Sequence, residues 1–157
     1  MPTIHLTTFI QAPPVRVFDL SRSIDLHKKS MAHTGEEAVG GTRMGLISLQ
    51  EFVTWKAKHL GKTRLLKSKI SAMKSPDHFT DEMVEGDFRS LKHEHHFKPI
   101  ENGTLMIDYM HYEMPYGIIG RLVDRFYLKN YLTSLLETRN SVIKKCAETD
   151  QWKQFIG

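Results

Sequence analysis

The chain of 157 residues holds one cysteine, no long apolar run and no glycine-rich phosphate loop, and each lack removes a class of protein. Cys146 alone cannot close an internal disulfide, which fits a reducing cytoplasm. No segment approaches the roughly 20 consecutive apolar residues that a membrane-spanning helix needs. Met1 to Thr7 lacks a basic region followed by a long apolar stretch, so no signal peptide is expected and the cytoplasm is the expected location. The patterns GxGxxG after a strand, GxxxxGK[ST] and GxSxG do not occur, which removes the common dinucleotide, P-loop and hydrolase readings. Charge of one sign is not concentrated either. The net charge is +4, yet the densest basic set, Lys56, Lys58, Lys62, Arg64, Lys67 and Lys69, alternates with apolar or small residues. That is the outer face of a hairpin rather than a nucleic-acid patch, and no nucleic-acid partner is expected. The length suits one domain over residues 1–157, with a core that needs no disulfide or structural metal.

What is present centres on Leu91-Lys92-His93-Glu94-His95-His96-Phe97-Lys98. On a strand, side chains alternate between faces, so Leu91, His93, His95 and Phe97 share one side and Lys92, Glu94, His96 and Lys98 the other. The second side suits solvent. The first must look inward, and imidazoles there need partners from the protein or from a ligand. His96 and His111 are expected to face outward or to sit at strand edges.

The hydrophobic period changes along the chain. Residues 3 to 11 alternate as a strand, which Ala12-Pro13-Pro14 stops. Pro14 suits a first helical turn, and Val15, Phe18 and Leu20 continue a short helix to about Ser21. Ser23 can cap a second short helix through His27 and Met31. Six strands follow, at roughly 36 to 40, 49 to 59, 62 to 74, 78 to 88, 90 to 99 and 104 to 114, with short connections that favour an antiparallel meander. After Pro115 the period becomes helical. Ile119, Leu122, Phe126, Leu132, Leu136 and Ile143 predict one face of a helix of about thirty residues.

The packing solution for this order is a curved antiparallel sheet of about seven strands around a long C-terminal helix, an α+β helix-grip fold. One helix cannot fill the concavity of such a sheet, so a cavity between them is expected. The order of elements resembles the START-like, or SRPBCC, superfamily of polyketide cyclases, birch-allergen-type proteins and lipid-transfer domains. Val53 to Gly61, Phe79 to Met83, His93-Glu94-His95 and Gly103 to Asp108 resemble a bacterial subgroup often labelled cell division inhibitor. The resemblance implies fold over essentially the whole chain; binders, carriers and enzymes share the scaffold.

Alternation applied to each strand gives the candidate site. Val53, Trp55, Ala57 and His59 oppose Thr54, Lys56 and Lys58; Leu66, Ser68, Ile70 and Ala72 oppose Lys67 and Lys69; Phe79, Asp81 and Met83 oppose Thr80 and Glu82. On the last strand both faces are largely apolar. The side with Thr104, Met106, Asp108, Met110 and Tyr112 is chosen because it sets an acid next to the histidines. The concave wall is thus expected to carry Trp55, Met83, Phe97, Met106, Met110 and Tyr112, with His59, Asp81, His93, His95 and Asp108 as its polar band. Methionines and aromatics adapt to irregular apolar ligands, and the polar band would hold a ligand's polar end.

Three functions remain open at this stage. The first is binding or transport of a small hydrophobic or amphipathic molecule, with no cofactor and no metal. The second is a cyclase, hydratase or isomerase using a His/Asp pair. The third is a ligand-free interaction module, which would show an exposed apolar patch over a collapsed interior. His93 and His95 could ligate a metal with Asp81 or Asp108 as a third ligand, but no CxxC or HExxH supports it. Cys146 reads as a packed residue rather than a nucleophile. Oligomeric state and ligand identity are not written in the sequence.

Overall fold

Proline decides where the first strand stops. Strand β1 (Thr3–Ile10) ends before Pro13-Pro14, and helix α1 (Pro14–Ser21) begins on Pro14, whose fixed φ suits a first turn. Helix α2 (Ile24–Ser30) is capped as expected: Ser23 Oγ accepts from Leu26 N at 3.1 Å. The computed structural model describes residues 2–157.

The meander then runs β2 (Glu37–Gly41), β3 (Phe52–His59), β4 (Lys62–Lys74), β5 (His78–Glu85), β6 (Ser90–Ile100) and β7 (Gly103–Glu113). All pairings are antiparallel, in the order β1-β7-β6-β5-β4-β3-β2, so the first two strands in sequence form the two edges. Short hairpins join β3 to β7 in turn, while α1 and α2 carry the chain from one edge to the other. Gly41 is required at its place: φ is +68°, and a Cβ there would overlap the Phe52 backbone.

After β7 the chain is helical from Gly117–Val123, through a π-turn at Asp124–Leu128, to Lys129–Glu148; these are together called α3. A short 3₁₀ turn (Asp150–Trp152) and a last helical turn (Lys153–Ile156) follow. No helix of the described residues is long and apolar enough to cross a membrane.

Two apolar clusters hold α3 against the sheet. In one, Phe18 of α1 meets Phe79 and Phe97 edge-on at 5.5 and 5.4 Å, with Met106 and Ile143 packed alongside. Such edge contacts add about 0.5–1.5 kcal/mol each beyond area burial. In the other, Ile4 and Tyr112 pack on Leu128 and Leu136. Tyr112 also donates its hydroxyl proton to Asp124 in the π-turn, which ties β7 to α3.

The predicted helical stripe is corrected in its first half. Leu136 and Ile143 are buried, but Ile119, Leu122 and Phe126 are 69%, 51% and 63% exposed. The π-turn is the physical reason: it inserts an extra residue into the i+4 repeat, so apolar positions on either side of it no longer share one face. Val15 of α1 is also exposed, and Val17 takes the buried position instead. A register shift between Ile70 and Ala72 ends the alternation of β4, and Met73 rather than Ala72 packs on the core.

Candidate functional site

A cavity of about 420 Å³ lies between the sheet and α3, where the two clusters meet. Its volume is within the roughly 300–1,000 Å³ of typical ligand sites. Apolar groups make most of the wall, among them Ile24, Val53, Trp55, Ile70, Met110 and Leu136. Helix α3 contributes Leu128, Tyr131, Leu132, Leu135, Leu136 and Arg139 to it.

Of the residues singled out in the sequence, Trp55, His59, Asp81, His93, His95 and Met110 line the cavity. Five do not. Phe97 and Met106 belong to the packed core with Phe18, and Tyr112 lies fully buried in the other cluster, where its hydroxyl is committed to Asp124. Met83 pairs with Ser68 in regular register with Asp81, but its sulfur lies by Gly86 and Leu66 at the strand end. Asp108 is fully buried behind the histidines rather than in the wall.

The polar band is one connected network. Asp108 Oδ1 accepts from His93 Nε2 at 2.8 Å, and its Oδ2 accepts from Asn140 Nδ2 at 2.9 Å. Arg139 Nη1 is 3.6 Å from Oδ1. Asp81 Oδ2 accepts from His95 Nε2 at 2.7 Å, and Ser68 Oγ donates to Oδ1 at 3.3 Å. The two imidazoles stack with centroids 3.7 Å apart, and the Phe79 ring lies 4.1 Å from His95 on a parallel plane. Arg139 Nη2 reaches His95 Nδ1 at 3.4 Å and the Ser21 carbonyl at 3.2 Å. His95 Nδ1 also lies 3.5 Å from Asp108 Oδ1.

Electrostatics follow from this geometry. Burial acts to raise the Asp81 carboxyl, but the His95 hydrogen bond and the neighbouring positive charge outweigh it and hold the group down at about 2. Asp108 is likewise pulled well below the usual carboxylate range: burial opposes this, and the bonds from His93 and His95 prevail. Burial, followed by the charge of His95, lowers His93 despite Asp108, so the His93 ring is neutral near pH 7. Its Nε2–H goes to Asp108, and Nδ1 takes no hydrogen bond from the described residues. His59, lowered chiefly by burial, shares a 2.7 Å hydrogen bond with the Tyr131 hydroxyl.

Asp81 is the member of this network most open to the cavity, with 29% of its side chain exposed against 7% for His93 and 3% for His95. A second carboxylate, Glu36, lines the wall near His27, and its buried Oε1 has no hydrogen bond. His27 Nε2 stands 2.5 Å from that oxygen, off the direction a hydrogen bond needs. Asp81, His93 and His95 bring one ligand atom each within 4.8 Å and are the residues that could hold a metal, once His95 released its bond to Asp81. His96 and His111 lie elsewhere, half-buried around Glu94. Cys146 is buried, its thiol pushed up by burial.

Arg139, Asn140 and Tyr131 were not among the expected site residues. Their signal was in the helix: Arg139 and Asn140 interrupt the apolar stripe between Leu136 and Ile143, as His93 and His95 interrupt that of β6. Tyr131, Leu135 and Arg139 are spaced i, i+4, i+8 on one face.

No family model matches the sequence, and no curated protein matches it. Solved structures do match in shape. TTHA0849 from Thermus thermophilus aligns with a TM-score of 0.68 at 22% identity, over 90% of this chain and 97% of that one. Ginseng major latex-like protein 151 from Panax ginseng gives 0.69 at 16%, over 94% and 98%. Ara h 8.0201 gives 0.65 at 14%, over 90% and 97%. At such identities the likeness concerns architecture, and with the sheet order and α3 described above it means that the chain has the helix-grip fold shared by START-like, birch-allergen-type proteins.

Proposed function

We propose that the protein binds a small hydrophobic or amphipathic molecule in the cavity between its sheet and α3. The observation that carries this reading is the cavity itself: about 420 Å³, walled mainly by apolar side chains and ended by one buried polar network. Burying an apolar body there gains about 25 cal/mol for each Å² removed from water, and the network orients the polar end. A ligand-free interaction module fits less well. Its exposed apolar patch has a counterpart on α3, but the interior has not collapsed.

A catalytic reading has one specific observation behind it. Asp108 orients His93 through Nε2 and leaves Nδ1 as a basic lone pair beside the cavity, the arrangement of a general base. A cyclase, hydratase or isomerase would use it.

Native mass spectrometry of the protein as purified, followed by solvent extraction, tests the binding reading. A co-purifying apolar or amphipathic molecule, or saturable uptake of 1-octanol by the empty protein, is the expected result. Absence of both would sink it. Should a ligand be recovered chemically altered, with loss of turnover in His93→Gln, the catalytic reading takes its place.

A further inference from the structure

The charges around the cavity do not cancel group by group. Each arginine in the wall has its own acid: Arg22 pairs with Asp19 at 2.9 Å, Arg64 with Asp87 at 2.8 Å, and Arg139 with Asp108 at 3.6 Å. Two wall carboxylates remain, Asp81 and Glu36, and the side chains closest to them are imidazoles, His95 and His27.

The buried network of Asp81, Asp108, His93, His95 and Arg139 is one-sided in its hydrogen bonds. The nearby donors are turned toward the protein: Arg139 gives to Asn140 Oδ1, the Ser21 carbonyl and His95 Nδ1, Ser68 gives to Asp81, and Asn140 gives to Asp108. What this network turns to the cavity is acceptor. The Asp81 carboxylate is part exposed there, and the neutral His93 ring offers Nδ1. A carboxylate facing the cavity from this network repels a carboxylate head group. A head group that carries both positive charge and N–H bonds meets Coulomb attraction and acceptors together.

We propose that this cavity selects ligands whose polar end is a cationic hydrogen-bond donor, a primary ammonium on an apolar body, with Asp81 as its counter-ion. This rests on the ligand-binding reading above. Asp81 carries the negative charge and His93 Nδ1 takes a second N–H, while Trp55 and Leu136 hold the apolar part.

Isothermal titration at about pH 8, where imidazoles of ordinary affinity are neutral, with n-octylammonium, 1-octanol and octanoate separates the possibilities, because the three share one apolar body. The ammonium should bind at least about tenfold more tightly than octanoate, with octanol between them. In Asp81→Asn the ratio of ammonium to octanol affinity should fall to about one. The comparison on the unaltered protein stands even if that variant fails to fold. Octanoate binding as well as the ammonium, or an ammonium preference that survives in folded Asp81→Asn, overturns the proposal while leaving the cavity reading in place. If none of the three binds, the cavity reading falls and the proposal with it.

Discussion

Asp108 on β7 accepts a 2.8 Å hydrogen bond from Nε2 of His93 on β6, although the residue directly across the strand pair from it is His95. The bond therefore runs diagonally over the sheet, and the carboxylate serves β6 and α3 together, since Asn140 and Arg139 reach it from the helix. One buried acid joins the two layers whose separation creates the cavity.

Removing that acid leaves the buried Arg139 guanidinium without its carboxylate and takes from His93 Nε2 and Asn140 Nδ2 the acceptor they share. Asp108→Ala should cost about 3–5 kcal/mol of stability, and Asp108→Asn, which keeps the shape and an acceptor, about 1–3 kcal/mol. Urea unfolding at neutral pH reads both as shifts of midpoint at constant slope. A loss below about 1 kcal/mol for the alanine variant would mean that Asp108 does not hold the layers together.

Acid should weaken the protein in two stages. The folded state lowers His93, so the unfolded chain binds the extra proton first; this contribution is complete above the ordinary histidine value of about 6.5 and fades as pH falls below it. The folded state also holds Asp81 at about 2, so its contribution is complete above the ordinary aspartate value of about 4 and is lost between there and about 2. Denaturation free energies measured from pH 8 down to pH 3 should fall in both windows, with the upper step missing in His93→Gln. Stability that rises on going from pH 7 to pH 5 would contradict the neutral, buried His93.

Much of this network could be read from the sequence because strands are stiff. Period-two alternation placed His93, His95, Asp81 and Asp108 on one side of the sheet, and all four meet in space. The same rule misled for Met83, which keeps the register of Asp81 but packs its sulfur toward Gly86 and Leu66 at the end of β5. Nor does alternation tell wall from core: Phe97 and Met106 point the right way but are covered by Phe18 and Ile143. Arg139 was missed because a long side chain on a helix is ordinarily a surface group, and only tertiary packing turns this one onto Asp108.

Filling the cavity should separate binding from folding. Ala57 is a buried wall residue on β3, and Ala57→Phe sends a ring into the open space. Where a new side chain enters a vacancy rather than a packed core, the overpacking cost of about 1–3 kcal/mol is avoided. The variant should keep its melting temperature within a few degrees of the parent and lose more than about tenfold in 1-octanol affinity. Retained affinity in a folded variant would place the ligand somewhere else.

The corrected stripe on α3 makes the sharpest contrast in stability. Ile143 is fully buried among Phe18, Phe97 and Met106, so Ile143→Ala removes packed methyl groups and should cost about 2–5 kcal/mol. Phe126, though larger, is 63% exposed ahead of Leu128 in the π-turn, so Phe126→Ser should change stability by no more than about 0.5 kcal/mol. A continuous amphipathic helix, as the raw apolar spacing predicts, would make both substitutions comparably costly. Urea midpoints of the two variants thus decide whether the π-turn divides α3 into a packed half and an open half, and equal losses would refute that division.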